Sequence, residues 1–165
     1  MQCNNTMNFR VGQGYDVHQL AEGLPFILGG IPIPHSHGMV AHSDGDVLLH
    51  AICDALLGAA GMRDIGYHFP DTSQDFKNID SRILLRKTLE LITAQGWRIA
   101  NIDATVCLQK PKLLPYIPQM QQTIAEDLQV TINQISIKAT TTERLGFVGR
   151  EEGIATHAVA LLLGE

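Results

Sequence analysis

No stretch of this 165-residue chain approaches the ~20 consecutive apolar residues that span a bilayer, and no cluster of Lys and Arg could track a phosphate backbone. Seventeen acidic against twelve basic residues give a formal charge of −5, so neither membrane nor nucleic acid is an expected partner. Cysteine is scarce: Cys3, Cys53 and Cys107 are odd in number and never form a Cys-x-x-Cys pair, which disfavours a disulfide scaffold and a thiolate zinc ribbon. Cys53 and Cys107 sit in apolar stretches, where a thiol behaves as a small buried hydrophobe. There is no internal repeat and no low-complexity tract. Gly12-x-Gly14 lacks the third glycine of a dinucleotide fingerprint, since position 17 is Val and no helix is expected there. The first eight residues, Met1 to Asn8, are polar and lack the apolar core of a signal peptide, so a soluble protein is expected, cytoplasmic, or in an organelle if this is a processed form.

What is present suits one compact domain. A hydrophobic content of 45% over this length is enough to bury roughly 70% of the unfolded surface. A polar extension over 1–8 and a single domain over 9–165 are expected. Phe9 to His18 reads as a first strand, and Pro25–Leu28 with Ile31–Pro34 as a hairpin turned by Gly29-Gly30, followed by a loop from His35 to Gly38. A helix is predicted from Asp44, its cap, to about Gly58, because Val47, Leu48, Ala51, Ala55 and Leu56 recur at helical spacing. Asp80 and Ser81 cap a second helix over Arg82–Gln95, with Leu84, Leu85, Leu89 and Ile92 inward and Gly96 ending it. A strand over Trp97–Leu108, a helix from Pro118 to about Leu128, and strands over Gln134–Ala139 and Gly153–Leu163 complete the order. The expected fold is an α+β two-layer sandwich, a mixed β-sheet with helices on one face. The long apolar last strand suggests cover from a partner chain, hence an oligomer.

Asp16-Val17-His18 is the feature that carries chemistry. Residues two apart on a strand share a face, so Asp16 and His18 can reach one ion while Val17 packs behind them. Such pairs are common by chance; a third ligand, His50 on the crossing helix, gives the carboxylate-plus-two-imidazole set with which zinc keeps a position open for catalysis. Asp46, His50 and Asp54 are four apart on one helical stripe, which suits the two carboxylates to act as acceptors behind the His50 ring. Asp64-Ile65-Gly66 and Phe69-Pro70-Asp71-Thr72-Ser73 form an acid-rich loop, and Lys110-Pro111-Lys112-Leu113-Leu114 a Pro-stiffened one, each ordinary when taken singly. Thr140-Thr141-Thr142-Glu143, directly after a strand, reads either as a helix capping box or as oxygen donors for magnesium on a diphosphate.

Taken together the blocks Arg10–His18, Ala41–Asp46, Asp64–Gly66 with Phe69–Asp71, Pro111–Pro115, and Lys138–Glu143 with Gly146-Phe147 and Gly149-Arg150 closely resemble, in order, the 2-C-methyl-D-erythritol 2,4-cyclodiphosphate synthase family of the non-mevalonate isoprenoid pathway. Gln13 stands where that family often has His, and Met1 to Asn8 precede its usual start. The resemblance implies one synthase domain over 9–165 in a homotrimer with active sites between subunits. It implies zinc, or another divalent transition metal, on Asp16, His18 and His50, and magnesium or manganese held by Glu143. His42 and Thr141 would assist the transition state. The substrate, a cytidine diphosphate ester of methylerythritol 2-phosphate, would meet Asp16, Val17, His18, His42 and Ser43. Asp64, Ile65, Gly66, Phe69, Pro70, Asp71, Thr72 and Ser73 would surround its methylerythritol portion. Leu108, Gln109, Lys110, Pro111, Lys112, Leu113, Leu114, Thr140, Thr141, Thr142 and Glu143 would line the cytidine side. Phe147 and Arg150 would face an axial cavity able to take an isoprenoid diphosphate.

The implied reaction also accounts for an absence. The chain has no convincing Ser-His-Asp or Cys-His nucleophile arrangement, and none is needed when the substrate's own 2-phosphate attacks its β-phosphorus and expels cytidine monophosphate. Two rival readings use the same residues: a zinc phosphoesterase in which His42 serves a metal-activated water as base, and a non-enzymatic carrier of isoprenoid diphosphates.

Overall fold

The computed structural model describes residues 8–70 and 79–164. Its centre is a five-stranded mixed sheet in the order β4-β1-β7-β5-β6, formed by β1 (Phe9–Glu22), β4 (His37–Met39), β5 (Trp97–Cys107), β6 (Ile135–Thr140) and β7 (Gly153–Gly164). Only β5 and β6 run parallel, joined by a crossover through α4 (Ile117–Asp127); β7 is antiparallel to both β1 and β5. The hairpin strands β2 (Ile27–Leu28) and β3 (Ile31–Pro32) pair around Gly29-Gly30 as expected, but apart from the main sheet. Both turn glycines have positive φ, 60° and 77°, which a side chain would oppose.

Three boundaries differ from the sequence reading. The first strand continues past His18 to Glu22, because Leu20, Ala21 and Glu22 pair with Met39, Gly38 and His37. The expected loop at His35–Gly38 therefore contains the start of an edge strand, too short to register as a period-2 pattern. The first helix, α1 (Val47–Ala59), is capped by Asp46, whose carboxylate accepts from Leu49 N–H, and not by Asp44. Two four-residue helices, α2 (Ile65–His68) and α5 (Gly146–Gly149), are too short to show a helical period in the sequence, whereas α3 (Ser81–Ala94) and α4 fall within a residue or two of expectation.

The helical layer explains how ligands far apart in sequence can meet. Alternate residues of β1, Gly12, Gly14, Asp16, His18 and Leu20, face α1. A Cβ on Gly12 would lie 2.0 Å from the Ala55 carbonyl oxygen, and one on Gly14 would lie 1.9 Å from that of Ala51. The Gly-x-Gly pair is thus a bed for a helix whose contact face is Ala51, Ala55 and Ala59. With no side chain between the two backbones, His50 on α1 comes down beside Asp16. Behind it, Leu48, Ile52, Leu56, Leu85, Ile92, Ile102 and Ile124 fill the core between the sheet and α1, α3 and α4. Arg82 and Arg86 of α3 both bond the nearly buried Asp127 of α4, at 2.6 and 2.8 Å, fixing the two helices to each other.

The opposite face of the sheet is different. Phe9, Val11, Tyr15 and Val17 of β1 and Val159 of β7 are exposed large hydrophobics, with Phe9 and Val11 showing more than 60% of their surface. In the sequence reading, the apolar run of the last strand pointed to cover by a partner. Half of that run is explained within the chain, because β7 is a central strand and its even-numbered residues face the helices. Its other half joins this uncovered apolar stripe.

A candidate metal centre and two clefts

Asp16 and His18 leave β1 on its helix face, and His50 meets them from the first turn of α1. One ligand atom from each lies within 4.8 Å of the other two, the one His/Cys/Asp/Glu cluster of this kind among the described residues. Asp16 Oδ2 is 3.0 Å from His50 Nδ1 and 3.2 Å from His18 Nδ1. Ligands on a tetrahedral zinc with bonds near 2.0 Å stand roughly 3.3 Å apart, so these separations suit a shared divalent cation. The His18 atom supplies a further sign: Nδ1 is buried, and although close to Asp16 it has no aligned hydrogen bond. A buried nitrogen without a partner is costly unless something accepts its lone pair.

Electrostatics agrees with the geometry. Burial alone would raise the Asp16 carboxyl, but its contacts with His18 and His50, and their charge, overcome this and hold it down to about 2. For His50, burial opposes a charged ring, yet the hydrogen bond and charge of Asp16, backed by the charges of Asp46 and Asp44, carry its pKa upward. Positive charge is welcome here, which is what a cation site requires.

The cation corner opens into a cleft of about 310 Å³ lined by His18, His42, Ser43, His50, Ile65, Gly66 and Phe69, with Ala41, Ile79 and Leu84. His42 and Ser43 form one lip. The other lip is α2, whose first residue Ile65 donates its N–H to Asp54 Oδ1 at 2.8 Å, while Asp64 caps the helix by accepting from Tyr67 N–H at 2.9 Å. Pro70 ends this segment, and Asp71, Thr72 and Ser73 lie outside the described residues. Val17 takes no part in the cleft wall: it points to the outer face of the sheet and is 44% exposed, because neighbouring strand residues alternate.

The two carboxylates expected to sit behind His50 do other work. Asp46, completely buried, accepts from Gly29 N–H at 3.0 Å, Gly30 N–H at 2.7 Å and Leu49 N–H at 3.1 Å, so it caps α1 and ties down the β2–β3 turn. Burial pushes its pKa up to about 6 against those three donors. Asp54 fastens α2 instead. The partner of His50 is a residue that the sequence reading treated only as a helix cap: Nε2 lies 2.8 Å from Ser81 Oγ, and the Ser81 hydroxyl donates to Asp44. A buried hydroxyl at the first residue of a helix already capped by Asp80 is the sequence-level trace of this contact, legible only once its burial is known.

The remaining expected residues gather elsewhere. Leu108, Gln109, Pro111, Lys112, Leu113, Leu114, Thr140 and Thr141, joined by Ile117, Lys138 and Ala139, line a second cleft of about 350 Å³ that shares no residue with the first. Lys110 turns away to pair with Glu151 at 2.9 Å. Thr140–Glu143 forms no capping box, since no helix begins there: Thr140 Oγ1 donates to the Thr141 carbonyl, Thr141 Oγ1 bonds Glu143 Oε1 at 3.3 Å, and Thr142 Oγ1 donates to the Leu145 carbonyl at 2.6 Å. Glu143 and Arg144 both hold left-handed φ, 53° and 65°, a strained pair of the kind that collects at functional loops. Phe147 on α5 is 38% exposed, and Arg150 makes a two-pronged pair with Glu152, both contacts 3.0 Å.

Register measures the distance between the two clefts. Val17 pairs with Ala155, Ala155 with Cys107, and Cys107 with Thr140, so the cation strand and the threonine loop share one rung of the sheet, three strand spacings apart. That is about 14 Å.

Comparison with known proteins agrees with this geometry. Residues 9–163 match the model of the YgbB family. A 2-C-methyl-D-erythritol 2,4-cyclodiphosphate synthase of Azotobacter vinelandii is 63% identical over 93% of this chain and 98% of its own length. Among solved structures, the bifunctional IspDF of Campylobacter jejuni is 43% identical with a TM-score of 0.93, covering 97% of this chain, which spans 43% of that longer protein. The CDP complex of Plasmodium falciparum IspF is 35% identical with a TM-score of 0.84, covering 96% of this chain and 97% of its own. By the match along nearly its whole length and by identity above 60% to curated synthases, the chain belongs to the YgbB family.

Proposed function

We propose that this chain is a 2-C-methyl-D-erythritol 2,4-cyclodiphosphate synthase of the non-mevalonate isoprenoid pathway, acting in the cytoplasm as a single domain over 9–165. It converts 4-diphosphocytidyl-2-C-methyl-D-erythritol 2-phosphate to the cyclic diphosphate and CMP, a cyclising phosphorus–oxygen lyase reaction. An oxygen of the 2-phosphate forms a bond to the β-phosphorus, and the bond from that phosphorus to the bridging oxygen breaks, so that CMP leaves with the electron pair. The observation that carries this reading is the convergence of Asp16, His18 and His50 at the head of a cleft walled by His42 and Ser43.

Asp16, His18 and His50 would hold zinc, by their nitrogen-rich donor set, and a bound zinc supplies Lewis acidity and a fixed place for a phosphoryl oxygen. Glu143, amid the hydroxyls of Thr140, Thr141 and Thr142, offers the oxygen donors that suit magnesium or manganese on the diphosphate. The chain's own residues then mostly position. The cleft between His42-Ser43 and Ile65-Gly66 holds the methylerythritol phosphate, the second cleft holds the cytidine, and His42 and Thr141 direct donors at oxygens on which charge gathers. Holding both ends of one molecule in attack geometry supplies ~7–11 kcal/mol, against ~3–4 for one aimed donor, so positioning dominates.

The separate clefts and the uncovered apolar stripe support a homotrimer in which the cation cleft of one subunit meets the nucleotide cleft of the next. In that arrangement Phe147 and Arg150 line an axial cavity for an isoprenoid diphosphate. Product analysis in oxygen-18 water tests the function. The synthase yields unlabelled cyclic diphosphate and equimolar CMP; labelled, uncyclised phosphate would establish the phosphoesterase, and unchanged substrate would favour the carrier.

A further inference from the structure

We propose that Ser81 and Asp44 form a positioning relay that fixes which nitrogen of His50 faces the cation and thereby sets the affinity of the site for zinc. The relay rests on the reading that Asp16, His18 and His50 bind a divalent cation. Its parts come from three segments: His50 from α1, Ser81 from the first residue of α3, and Asp44 from the loop that carries His42 and Ser43.

The order of donors is determined by chemistry. A carboxylate only accepts, and Asp44 accepts twice from Ser81: its Oδ2 takes the Ser81 N–H at 2.9 Å, and its Oδ1 takes the Ser81 hydroxyl proton. With that proton committed, Ser81 Oγ can only accept from His50, so the His50 proton resides on Nε2, 2.8 Å away. In the neutral ring that a cation requires, the lone pair then belongs to Nδ1, the atom 3.0 Å from Asp16 Oδ2 and facing the cation corner, where a cation would take the place of the proton shared with Asp16. Ser81 is fully buried, which keeps water from replacing its hydroxyl. Asp44 is itself held, accepting from Asp46 N–H at 3.2 Å and donating its own N–H to the Ile79 carbonyl at 3.3 Å. A ligand imidazole whose other nitrogen is fixed in this way loses ~10–100-fold in metal affinity when the partner is removed.

Replacing Asp44 by Asn tests direction as well as contact. An amide placed with its NH2 toward Ser81 donates where the carboxylate accepted, so the hydroxyl proton turns to His50 and the imidazole proton moves to Nδ1, the ligating atom. The experiment titrates metal-free protein with zinc against a chromophoric chelator, for the parent, Ser81→Ala, Asp44→Asn and Ser81→Thr, with nitrogen-15 NMR of the imidazoles beside it. Ser81→Ala and Asp44→Asn should bind zinc ~10–100-fold more weakly. Ser81→Thr, which keeps the hydroxyl, should stay within about threefold, and the zinc-loaded parent should show the His50 proton on Nε2. Parent-like zinc affinity in both Ser81→Ala and Asp44→Asn would overturn the relay and leave these contacts as a fastening between loop and helix. A zinc-loaded parent with His50 protonated on Nδ1 would overturn it without any variant having to fold. Failure of the underlying cation reading is distinguishable, because the parent would then bind no zinc and His50→Ala would change nothing.

Discussion

The two clefts of this chain are built in opposite ways. Around Asp16, His18 and His50 the side chains come from one long strand and one core helix, are mostly shielded, and contact one another at 3.0–3.2 Å. Around Leu113, Lys138 and Thr141 the lining comes from loops and strand ends, and Thr141 and Glu143 bond chiefly within their own turn. The cation corner is preorganised inside a single subunit by the bare backbone contact of Gly12 and Gly14 with α1. The second cleft lies at the far side of the sheet, about 14 Å away along one rung. A rigid core can fix three ligands for one ion; in the proposed trimer, a long, charged substrate would be gripped by the loops of the second cleft together with a second subunit.

The largest expected break is His50→Ala, which removes one ligand of three. Zinc content should fall to background and turnover by at least ~10³-fold, measured by metal analysis and CMP release. Glu143→Gln should cost less, ~10²-fold in turnover with a weakened response to magnesium, while zinc stays bound, since Glu143 lies on the turn of Thr141, which lines the other cleft. Mixing those two inactive variants after subunit exchange sharpens the comparison. If each site takes its cation half from one subunit and its Glu143 from the next, roughly a quarter of sites regain both halves and activity returns to about that fraction; no recovery would mean that each subunit works alone.

Gly14→Val attacks the packing that assembles the cation corner. A side chain there meets the Ala51 carbonyl, so the variant should lose at least ~1–3 kcal/mol of stability by urea unfolding and, with α1 lifted from β1, its zinc affinity too. The smallest effect concerns pH. Because the folded pKa of Asp16, about 2, lies below its ordinary 3.8, its contacts stabilise the metal-free fold above about pH 4, and that contribution is lost as pH falls toward 2. Urea midpoints at pH 5 and pH 3 should therefore drop more for the parent than for Asp16→Asn.

Much of this was legible in the sequence because local periodicity and local chemistry agreed. Alternation along Phe9–His18 placed Asp16 and His18 on one face, and the spacing of Val47, Ala51 and Ala55 placed His50 on a helix, so the ion site needed only that the two elements cross. The crossing itself was encoded in Gly12 and Gly14 opposite three alanines, a signal visible in principle but meaningful only once strand and helix are known to touch. Asp46 shows the same limit of local pattern. Its position on a helical stripe suggested His50, yet its partners are glycines 16 and 17 residues back in a turn, a long-range contact that no local pattern reports. Ser81 was hidden because a hydroxyl at a helix start already has a sufficient local explanation.

The central claim is that three side chains share one cation on which cyclisation depends. Zinc added back stepwise to metal-stripped protein, with CMP and cyclic diphosphate measured together, tests it most directly. The account predicts that both products rise in equal amounts and saturate at one zinc per chain, and that His50→Ala stays inactive throughout. Full turnover in the stripped protein, or an undiminished His50→Ala, would contradict it.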